Sequence, residues 1–436
     1  MFHKSKIILV IILFFCTSLF NKPVFGIVLN EDELEDRSTE LGMLLRTFSF
    51  LFHGSILRPP YSPISSDPSG AGLFDLRLSF CHRTPKLKAA LHTQLTGNIS
   101  SHATLGAFNL GRGIAPPRWI PLQTKLVDDP TLMMQLEIDW IFLSYTWGPI
   151  TITAGRQPIT FGRGKLWHPS DLVSNFGITE VDVEFKPGAD AMRLDWTLSP
   201  KTFFTIVTAT GELQQDTDME LSLRGSSFIG RFSQGWEKGE AGVWTGLVRW
   251  DIVLGVDAVH DFGKFDMVAE VTLTFPTEKS LTPRAEIDSG IPAVAPLIPR
   301  AVLGATFKPM NKLFLTGELF FNGFGSWEKE TYLALATSER IAVGEMATLG
   351  KLYAGILADW EAHPLVHLYL ISFANLRDPS GLLSLGLRYN LATNVELYAG
   401  GYVPVARLPN IRAGFEPRSE FGFYPYFLFL ELKAAI

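Results

Sequence analysis

Charged and polar side chains are concentrated between glycines in one stretch of the chain, residues 155–172. The stretch reads GRQPITFGRGKLWHPSDL and carries Arg156, Arg163, Lys165, His168 and Asp171. Glycine allows positive φ angles and close backbone approach, so this spacing predicts a tightly folded segment that holds the charges in fixed positions. Fixed charges select ions and solutes where such a segment narrows a water-filled passage. The five residues are therefore candidates for a pore constriction.

A second interpretation of the same residues stays open, in which they only fasten the segment to a wall. Arg163 could then pair with Glu137 or Asp139 of the preceding predicted strand, and such a pair would also build a constriction. Arg156 is expected at a β-bulge, because the alternation of Ile150, Ile152 and Ala154 would otherwise turn it toward lipid.

Other chemistry finds little support in the residues. His168 with Asp171, and His363 with His367, lack a third ligand nearby in sequence, so we expect no metal site and no cofactor. No G-x-S-x-G elbow is present to suggest a serine hydrolase, and the sequence predicts no enzyme.

The segments around these residues alternate apolar and polar side chains with a period of two. In residues 73–80, Phe74, Leu76 and Leu78 share one face while Asp75 and Arg77 share the other, and residues 191–198, 264–275 and 383–389 repeat the pattern. This period is typical of strands with one apolar and one polar face. After residue 26 no run of 18 apolar residues occurs, which leaves a closed barrel as the way to satisfy backbone groups in lipid.

The sequence thus predicts an all-β fold, a transmembrane antiparallel up-and-down β-barrel of about 18 strands. Sixteen strands remain an alternative, because the connection near Arg249–Ile252 is very short. The expected strands are approximately 43–53, 72–81, 86–96, 134–146, 150–157, 190–199, 202–211, 225–233, 241–249, 252–261, 264–275, 299–308, 311–322, 351–361, 365–374, 381–390, 394–403 and 421–433.

Connection lengths favour a barrel over a soluble β-sandwich. Tight connections such as Trp147–Pro149 and Leu391–Thr393 alternate with long ones such as 97–133 and 158–189. Outer-membrane barrels show this parity, with short periplasmic turns and long extracellular loops. Aromatic residues near the expected strand ends would form interfacial girdles: Trp140, Tyr145, Trp147, Trp196, Phe203, Phe204, Trp236, Trp244, Trp250 and Trp360.

The predicted interior face carries both signs of charge, which suits a hydrated channel. Its candidate lining residues are Arg77, Glu137, Asp139, Arg193, Asp195, Glu270, Glu318 and Arg388.

The first residues predict export. Lys4 and Lys6 precede an apolar run that reaches Phe20, and a small residue stands at Gly26, as in a secretory signal peptide. We expect a signal peptide at 1–26, a solvated periplasmic extension at 27–42, in which the acidic stretch 31–40 could form one or two helical turns, and the barrel at 43–436. Removal of residues 1–26 leaves 35 basic and 44 acidic side chains, and that balance argues against nucleic acid as a partner.

The stretch from Gly155 resembles the porin-like barrels of proteobacteria related to alginate-export proteins. In these a G-R-Q strand end precedes a glycine-rich segment with tryptophan and then P-x-D-L, here Gly155–Gln157 and Pro169–Leu172. The specific match covers about twenty residues. The resemblance implies an outer-membrane channel.

The sequence therefore predicts a channel of the cell outer membrane for passive or mildly selective diffusion of small solutes. A dedicated exporter or importer of a charged or hydrophobic substrate is the alternative, and an outer-membrane enzyme is a more distant one. The expected partners are outer-membrane lipids, small solutes and the barrel-assembly machinery, and a homotrimer is left open.

Overall fold

The computed structural model is a closed antiparallel β-barrel, and it describes residues 27–32, 37–53, 69–101, 115–129, 131–173, 185–212, 223–277, 297–410 and 416–435. The strands are β1 Ile27–Asp32, β2 Arg37–His53, β3 Ser69–Arg83, β4 Leu87–Ser100, β5 Gln123–Asp129, β6 Leu132–Trp147, β7 Ile150–Gln157, β8 Ala189–Ser199, β9 Thr202–Thr210, β10 Ser227–Trp236, β11 Gly239–Val248, β12 Asp251–Asp261, β13 Phe265–Phe275, β14 Ile298–Met310, β15 Leu313–Asn322, β16 Leu352–His363, β17 Val366–Asn375, β18 Ser380–Ala392, β19 Val395–Val405 and β20 Tyr426–Ala435.

Eighteen of these described strands close the ring. All except β1 and β5 pair with the next barrel strand along the chain, and β20 pairs with β2. The predicted eighteen-strand barrel is confirmed, and each expected strand overlaps an observed one. Two short helices, α1 (Tyr332–Ala336) and α2 (Glu339–Ala342), lie between β15 and β16.

None of the helices in the described part of the chain is long and apolar enough to cross a bilayer.

The period of two places apolar side chains outside the barrel. On β12, Ile252, Leu254 and Val256 are 51%, 42% and 50% exposed, whereas the intervening Val253 and Asp257 are 2% and 3% exposed. An outer face of large exposed apolar side chains is stable only against lipid. The opposite face of each strand points into the barrel, where it carries charged side chains such as Asp257.

The hairpin between β11 and β12 settles the strand count. Its two-residue turn has positive φ at both positions, 49° at Arg249 and 67° at Trp250. Two-residue hairpin turns of type I′ need this geometry and usually contain Asn or Gly, so the Arg-Trp pair gives no turn signal in the sequence. The Arg249 side chain compensates by donating to the carbonyl oxygens of Leu172 and Val173, at 3.0 and 3.1 Å. The sixteen-strand alternative is therefore wrong.

The N-terminal part differs from expectation. Residues 27–32 form β1, which pairs with the start of β2 from Ile27 opposite Leu41 to Asp32 opposite Arg37, so the expected helical turns are replaced by a β-hairpin. The first barrel strand consequently begins at Arg37 and not at residue 43. The predicted signal peptide, residues 1–26, lies outside the described residues.

Segment 115–129 completes the wall where β7 and β8 are short. β4 pairs along one edge of β6, and the other edge is shared by β7, opposite 141–147, and β5, opposite 132–137. Just before β5, Arg118 forms a bridge with Glu212, which follows β9. The segment therefore fills the wall between β6 and the end of β9.

The aromatic girdle is observed for only part of the predicted set. Trp147, Trp196 and Trp360 are exposed near the short turns. Trp140 instead stacks on His92 inside the barrel, with 4.3 Å between ring centroids, and Trp244 is 5% exposed within an interior cluster. The girdle prediction is wrong for these last two residues.

Neighbouring residues on β16 test which face meets lipid. We expect Ile356→Arg, on the outer face, to lower the free energy of unfolding in lipid vesicles by about 2–4 kcal/mol, because a charge is then placed in hydrocarbon. Leu357→Arg, on the interior face, serves as the matched control and should cost much less. Equal losses in equilibrium denaturant titrations would contradict the assignment of faces.

An inward segment and the charges that hold it

Residues 158–173, here called the inward segment, leave the wall at the end of β7 and run inside the barrel. They reach β16, which is nine strands from β7 in either direction around the ring. Two glycines permit this path. Gly155 has φ of 117°, and a Cβ there would lie 2.2 Å from the Ile141 oxygen; a Cβ on Gly164 would lie 2.0 Å from the Trp167 oxygen. The inward segment thus crosses the interior to the opposite wall.

Two buried carboxylates of the wall hold the backbone of the inward segment. Glu270 on β13 accepts from the backbone N–H groups of Arg163, Gly164 and Ser170, the last two at 2.6 and 3.1 Å. Glu318 on β15 accepts from three successive ones, at residues 165, 166 and 167, over 2.6, 3.0 and 3.2 Å. Charge-assisted bonds of this kind are about twice as strong as neutral ones. They hold the inward segment in place, although its backbone does not pair with a neighbouring strand in the described part of the chain.

Trp167 anchors the far end of the inward segment. Its ring lies 5.4 Å from Phe320, 6.1 Å from Tyr353 and 5.5 Å from Phe373, measured between centroids. Gly355 leaves the space, because a Cβ there would meet the Trp167 ring at 2.7 Å.

Arg163 and Lys165 are the constriction candidates that reach the open interior. Arg163 pairs with Glu240 on β11 and, at 3.3 Å, with Asp257 on β12. The expected partners Glu137 and Asp139 are therefore wrong for Arg163. Lys165 is exposed, and within the described residues it makes no ion pair. Its ammonium group lies within electrostatic reach of the Glu318 carboxylate and is exposed toward the open interior.

Asp171 and His168 face the body of the inward segment and not the open interior. Asp171 accepts from the backbone N–H groups of Phe161 and Gly162, at 2.7 and 2.8 Å, and from Lys186 Nζ at 2.7 Å. Burial lowers the pKa of His168, so its imidazole is neutral near pH 7 and is not the fixed charge that the sequence suggested. Among the described residues no cluster suited to a metal ion is found.

Arg156 does not join the other candidates. It is 2% exposed, donates to Asp190 Oδ1 at 2.7 Å and to the Ile138 oxygen at 3.0 Å, and also bonds the Ile120 oxygen. Arg156 lies opposite Ile141 in the pairing of β6 with β7, which shows no bulge. A bulge occurs in the pairing of β4 with β6, where His92 lies opposite Trp140 and Thr93 opposite Ile138, so that β6 has one extra residue. Arg156 therefore lies within the wall under segment 115–129, and the expectation of a bulge at Arg156 is wrong.

Several predicted lining charges are paired beneath other loops. Arg77 lies 3.0 Å from Asp139, which also accepts from Arg118 at 3.0 Å; Arg118 pairs with Glu137 as well. Phe185 covers Arg77, with the guanidinium 4.3 Å from the ring centroid. Arg118 and Phe185 lie in long connections, where a period of two gives no signal, so the sequence did not indicate their part in this network.

The remaining lining candidates lie half-buried on the interior face. Arg193 pairs with Asp195 at 2.7 Å. Arg388 lies over the Tyr369 ring, 5.8 Å from its centroid. These side chains supply the mixed charge that the sequence predicted for a hydrated interior.

The opposite part of the interior is aromatic, which the sequence did not predict. Phe48, Phe50 and Phe52 follow one another along the interior face of β2, with centroids 5.8 and 6.1 Å apart. Tyr402 and Phe427 continue the surface at 4.4 Å. Trp167 of the inward segment and Phe421 of the last long connection belong to the same cluster.

The last long connection is fastened by a buried acid. Glu420 is 1% exposed. Its carboxylate accepts from the Leu349 backbone N–H and from Asn375 Nδ2, both at 2.8 Å, and from the Tyr353 hydroxyl. Burial, assisted by the nearby Asp378, raises the pKa of Glu420 to about 7.

Comparison with solved structures shows the porin-type barrel fold. OccAB1 of Acinetobacter baumannii matches with a TM-score of 0.54 and 10% identity, over 92% of this chain and 97% of that chain. A BenF-like porin from Pseudomonas fluorescens matches with a TM-score of 0.53 and 9% identity, over 91% and 98%. OccAB3 of Acinetobacter baumannii matches with a TM-score of 0.52 and 9% identity, over 91% and 99%. No protein-family model matches the chain, and no curated protein does.

Glu318→Gln tests whether a carboxylate holds the inward segment. The amide keeps one acceptor oxygen and adds two donors, so buried N–H groups lose a partner at a cost of about 1–3 kcal/mol. We expect faster hydrogen exchange at the amides of Lys165, Leu166 and Trp167, while Glu237→Gln in an exposed turn leaves it unchanged. Unaltered exchange in Glu318→Gln would count against this anchoring.

The raised pKa of Glu420 predicts a pH-dependent connection. Its protonated form is favoured in the folded state, so the stabilisation is complete below the ordinary carboxyl pKa and disappears as the pH rises through about 7. Raising the pH from about 5 to about 8 should weaken the packing of residues 416–425 by up to about 3 kcal/mol, measured by hydrogen exchange after correction for intrinsic rates. Glu420→Gln cannot titrate and should remove the dependence. A dependence that persists in this variant would assign it to another group.

Proposed function

We propose that the protein is a channel of the outer membrane through which small solutes diffuse, with the inward segment as its constriction. The observation that carries the proposal is the fixed crossing of the interior between β7 and β16. A segment held by two buried carboxylates keeps its place, so the remaining aperture has a defined size and charge. The porin-type fold supports the same conclusion.

Lys165 supplies most of the positive charge at that aperture, and the partly exposed guanidinium of Arg163 supplies the rest. Arg163 is compensated by Glu240 and Asp257, whereas Lys165 has no ion pair among the described residues. A cation at a constriction attracts anions and repels cations. The proposed channel therefore has a mild preference for anions, set mainly by Lys165.

The proposal includes the route to the membrane. Residues 1–26 act as a signal peptide cleaved after Gly26, and the barrel-assembly machinery inserts the mature chain, whose outer face then meets lipid. The alginate-export-type resemblance from Gly155 to Leu172 supports an outer-membrane channel. Assembly as a homotrimer is part of the same proposal, and enzymatic activity is not.

A dedicated transporter is the second candidate, and the aromatic interior favours it. General diffusion needs only a hydrated wall, whereas here an aromatic cluster, buried along β2, fills one side of the interior. Phe429 is a half-buried member at the edge of this cluster. Under this alternative, Phe429→Ser would abolish uptake of apolar solutes in liposomes and leave sugar uptake unchanged; under general diffusion it would alter neither selectively.

Planar-bilayer recording tests the channel and its selectivity together. The purified protein should give stepwise conductance, and Lys165→Glu should shift the reversal potential in a salt gradient toward cation preference. Lys201→Glu, with the same charge change in a short turn outside the interior, should leave it unshifted. A barrel that does not conduct would overturn the proposed function, and equal shifts in both variants would remove Lys165 from the constriction.

A further inference from the structure

A cluster of buried charges lies near the extracellular end of β12 and β14, away from the aperture. It contains Arg249, Asp251, Arg300, Arg340 and Glu345, each at most 6% exposed. Arg340 pairs with both carboxylates, Asp251 and Glu345, at 2.7 Å. Arg249 lies 3.7 Å from Glu345. The five described side chains therefore bring three guanidiniums to two carboxylates.

Within the described residues, Arg300 is the member of the cluster that forms no salt bridge. The one hydrogen bond found for it there, from Nη1 to the Glu345 backbone oxygen, is long at 3.4 Å. Its Nε and Nη2 atoms are buried with no acceptor, and so is Nε of Arg249. The Phe324 ring lies 5.1 Å from the Arg300 guanidinium and 4.2 Å from that of Arg340. An aromatic face satisfies part of the charge but accepts no strong hydrogen bond.

Both carboxylates bind Arg340, Asp251 through Oδ2 and Glu345 through Oε2, and Asp251 Oδ1 makes no hydrogen bond to Arg300 or Arg249. Although burial opposes ionisation, the Arg340, Arg249 and Arg300 guanidiniums hold the pKa of Glu345 below its ordinary value, so it is ionised near pH 7. Its two pairs still leave an excess of positive charge among the described residues. Buried guanidinium groups are normally paired, and unbonded donors at such a place call for an acceptor that carries negative charge.

We propose that a small inorganic anion of chloride size binds here, accepting from Arg300 Nε and Nη2 and from Arg249 Nε. Arg300 Nη1 contacts the Glu345 backbone oxygen and Arg249 Nη1 lies 3.7 Å from its carboxylate, so both guanidiniums lie against the same residue. The surrounding apolar side chains Ile298, Phe324 and Met346 are buried. Because these side chains are buried and packed together, we propose a monatomic anion and not a bulky organic one.

The position of the site gives the anion a structural effect. Arg249 also donates to the Leu172 and Val173 oxygens at the end of the inward segment. Arg340 belongs to α2 and ties the connection between β15 and β16 to β12. Neutralising the excess charge therefore stabilises the strained Arg249–Trp250 turn, this connection and the end of the inward segment together.

Two measurements on the full chain test the site. Thermal unfolding in detergent is compared in chloride and in gluconate at equal ionic strength, because a ligand that binds only the folded state raises the midpoint with the logarithm of its concentration. The midpoint should rise with chloride for the native chain and for Arg83→Gln, an exposed arginine at the other end of the barrel, but not for Arg300→Gln.

Crystals grown in bromide give a test that needs no variant. An anomalous peak within hydrogen-bonding distance of Arg300 Nε or Nη2 is expected. A water molecule at that position, together with equal midpoints in chloride and gluconate, would overturn the proposal. Loss of the chloride effect in Arg83→Gln as well would show that the effect does not depend on this cluster, with the same consequence.

Discussion

The inward segment depends on one constraint, which is that backbone amides enclosed by a barrel wall must find acceptors. The segment has no strand partner to supply them, and two wall carboxylates do so instead. Glu270 and Glu318 stand two strands apart; Glu270 accepts from residues 163, 164 and 170, and Glu318 accepts from the three residues 165–167 between them. Side chains then need only add selectivity, because the path of the chain is already set. The bonds from Glu270 and Glu318 to the backbone place Arg163 and Lys165, and the two side chains are not needed to set the path of the segment.

The interior is divided between two kinds of packing. On the β3 to β6 side, ion pairs such as Arg77 with Asp139 lie beneath Phe185. On the β15 to β20 side and on β2, aromatic rings pack against one another and receive Trp167 and Phe421 from the loops. Burying an aromatic ring in this way contributes about 1.5–3 kcal/mol. Inner loops are thus held by charge on one side and by apolar contact on the other.

The barrel could be predicted from the sequence because the period of two acts locally. The alternation of apolar and polar residues indicates the two faces of each strand within about ten residues. The alternation of short and long connections then indicates at which end of the barrel each pair of strands is joined. The site was harder, because its partners come from distant positions. Arg163 pairs with Glu240 and Asp257, 77 and 94 residues away in sequence, while the nearer Glu137 pairs with Arg118. Sequence patterns locate a charged segment, but they do not say which wall it reaches.

Local rules also fail where the fold makes an exception. The positive φ angles at Arg249 and Trp250 are offset by the buried bonds of one side chain, so no Gly or Asn marks the turn. Arg156 follows the outward register yet is covered by residues of a loop that begins far earlier in the chain. Trp244 is buried where its neighbours in the predicted girdle are exposed. In each case a tertiary contact overrides the local signal.

Segment 115–129 makes the perimeter of the barrel unequal at its two ends. At the end with the short turns, the wall consists only of the eighteen barrel strands. At the other end, beyond β7, part of the wall is formed by β5, which belongs to the long connection between β4 and β6. Segment 115–129 is held by the pairing of β5 with β6, by the Arg118 and Arg156 guanidiniums, and by Asp190, which accepts from the Trp119 and Ile120 backbone N–H groups. Without this segment, the wall would have an opening between β6 and the end of β9 that faces the bilayer, although the ring of eighteen strands would stay closed at the short turns.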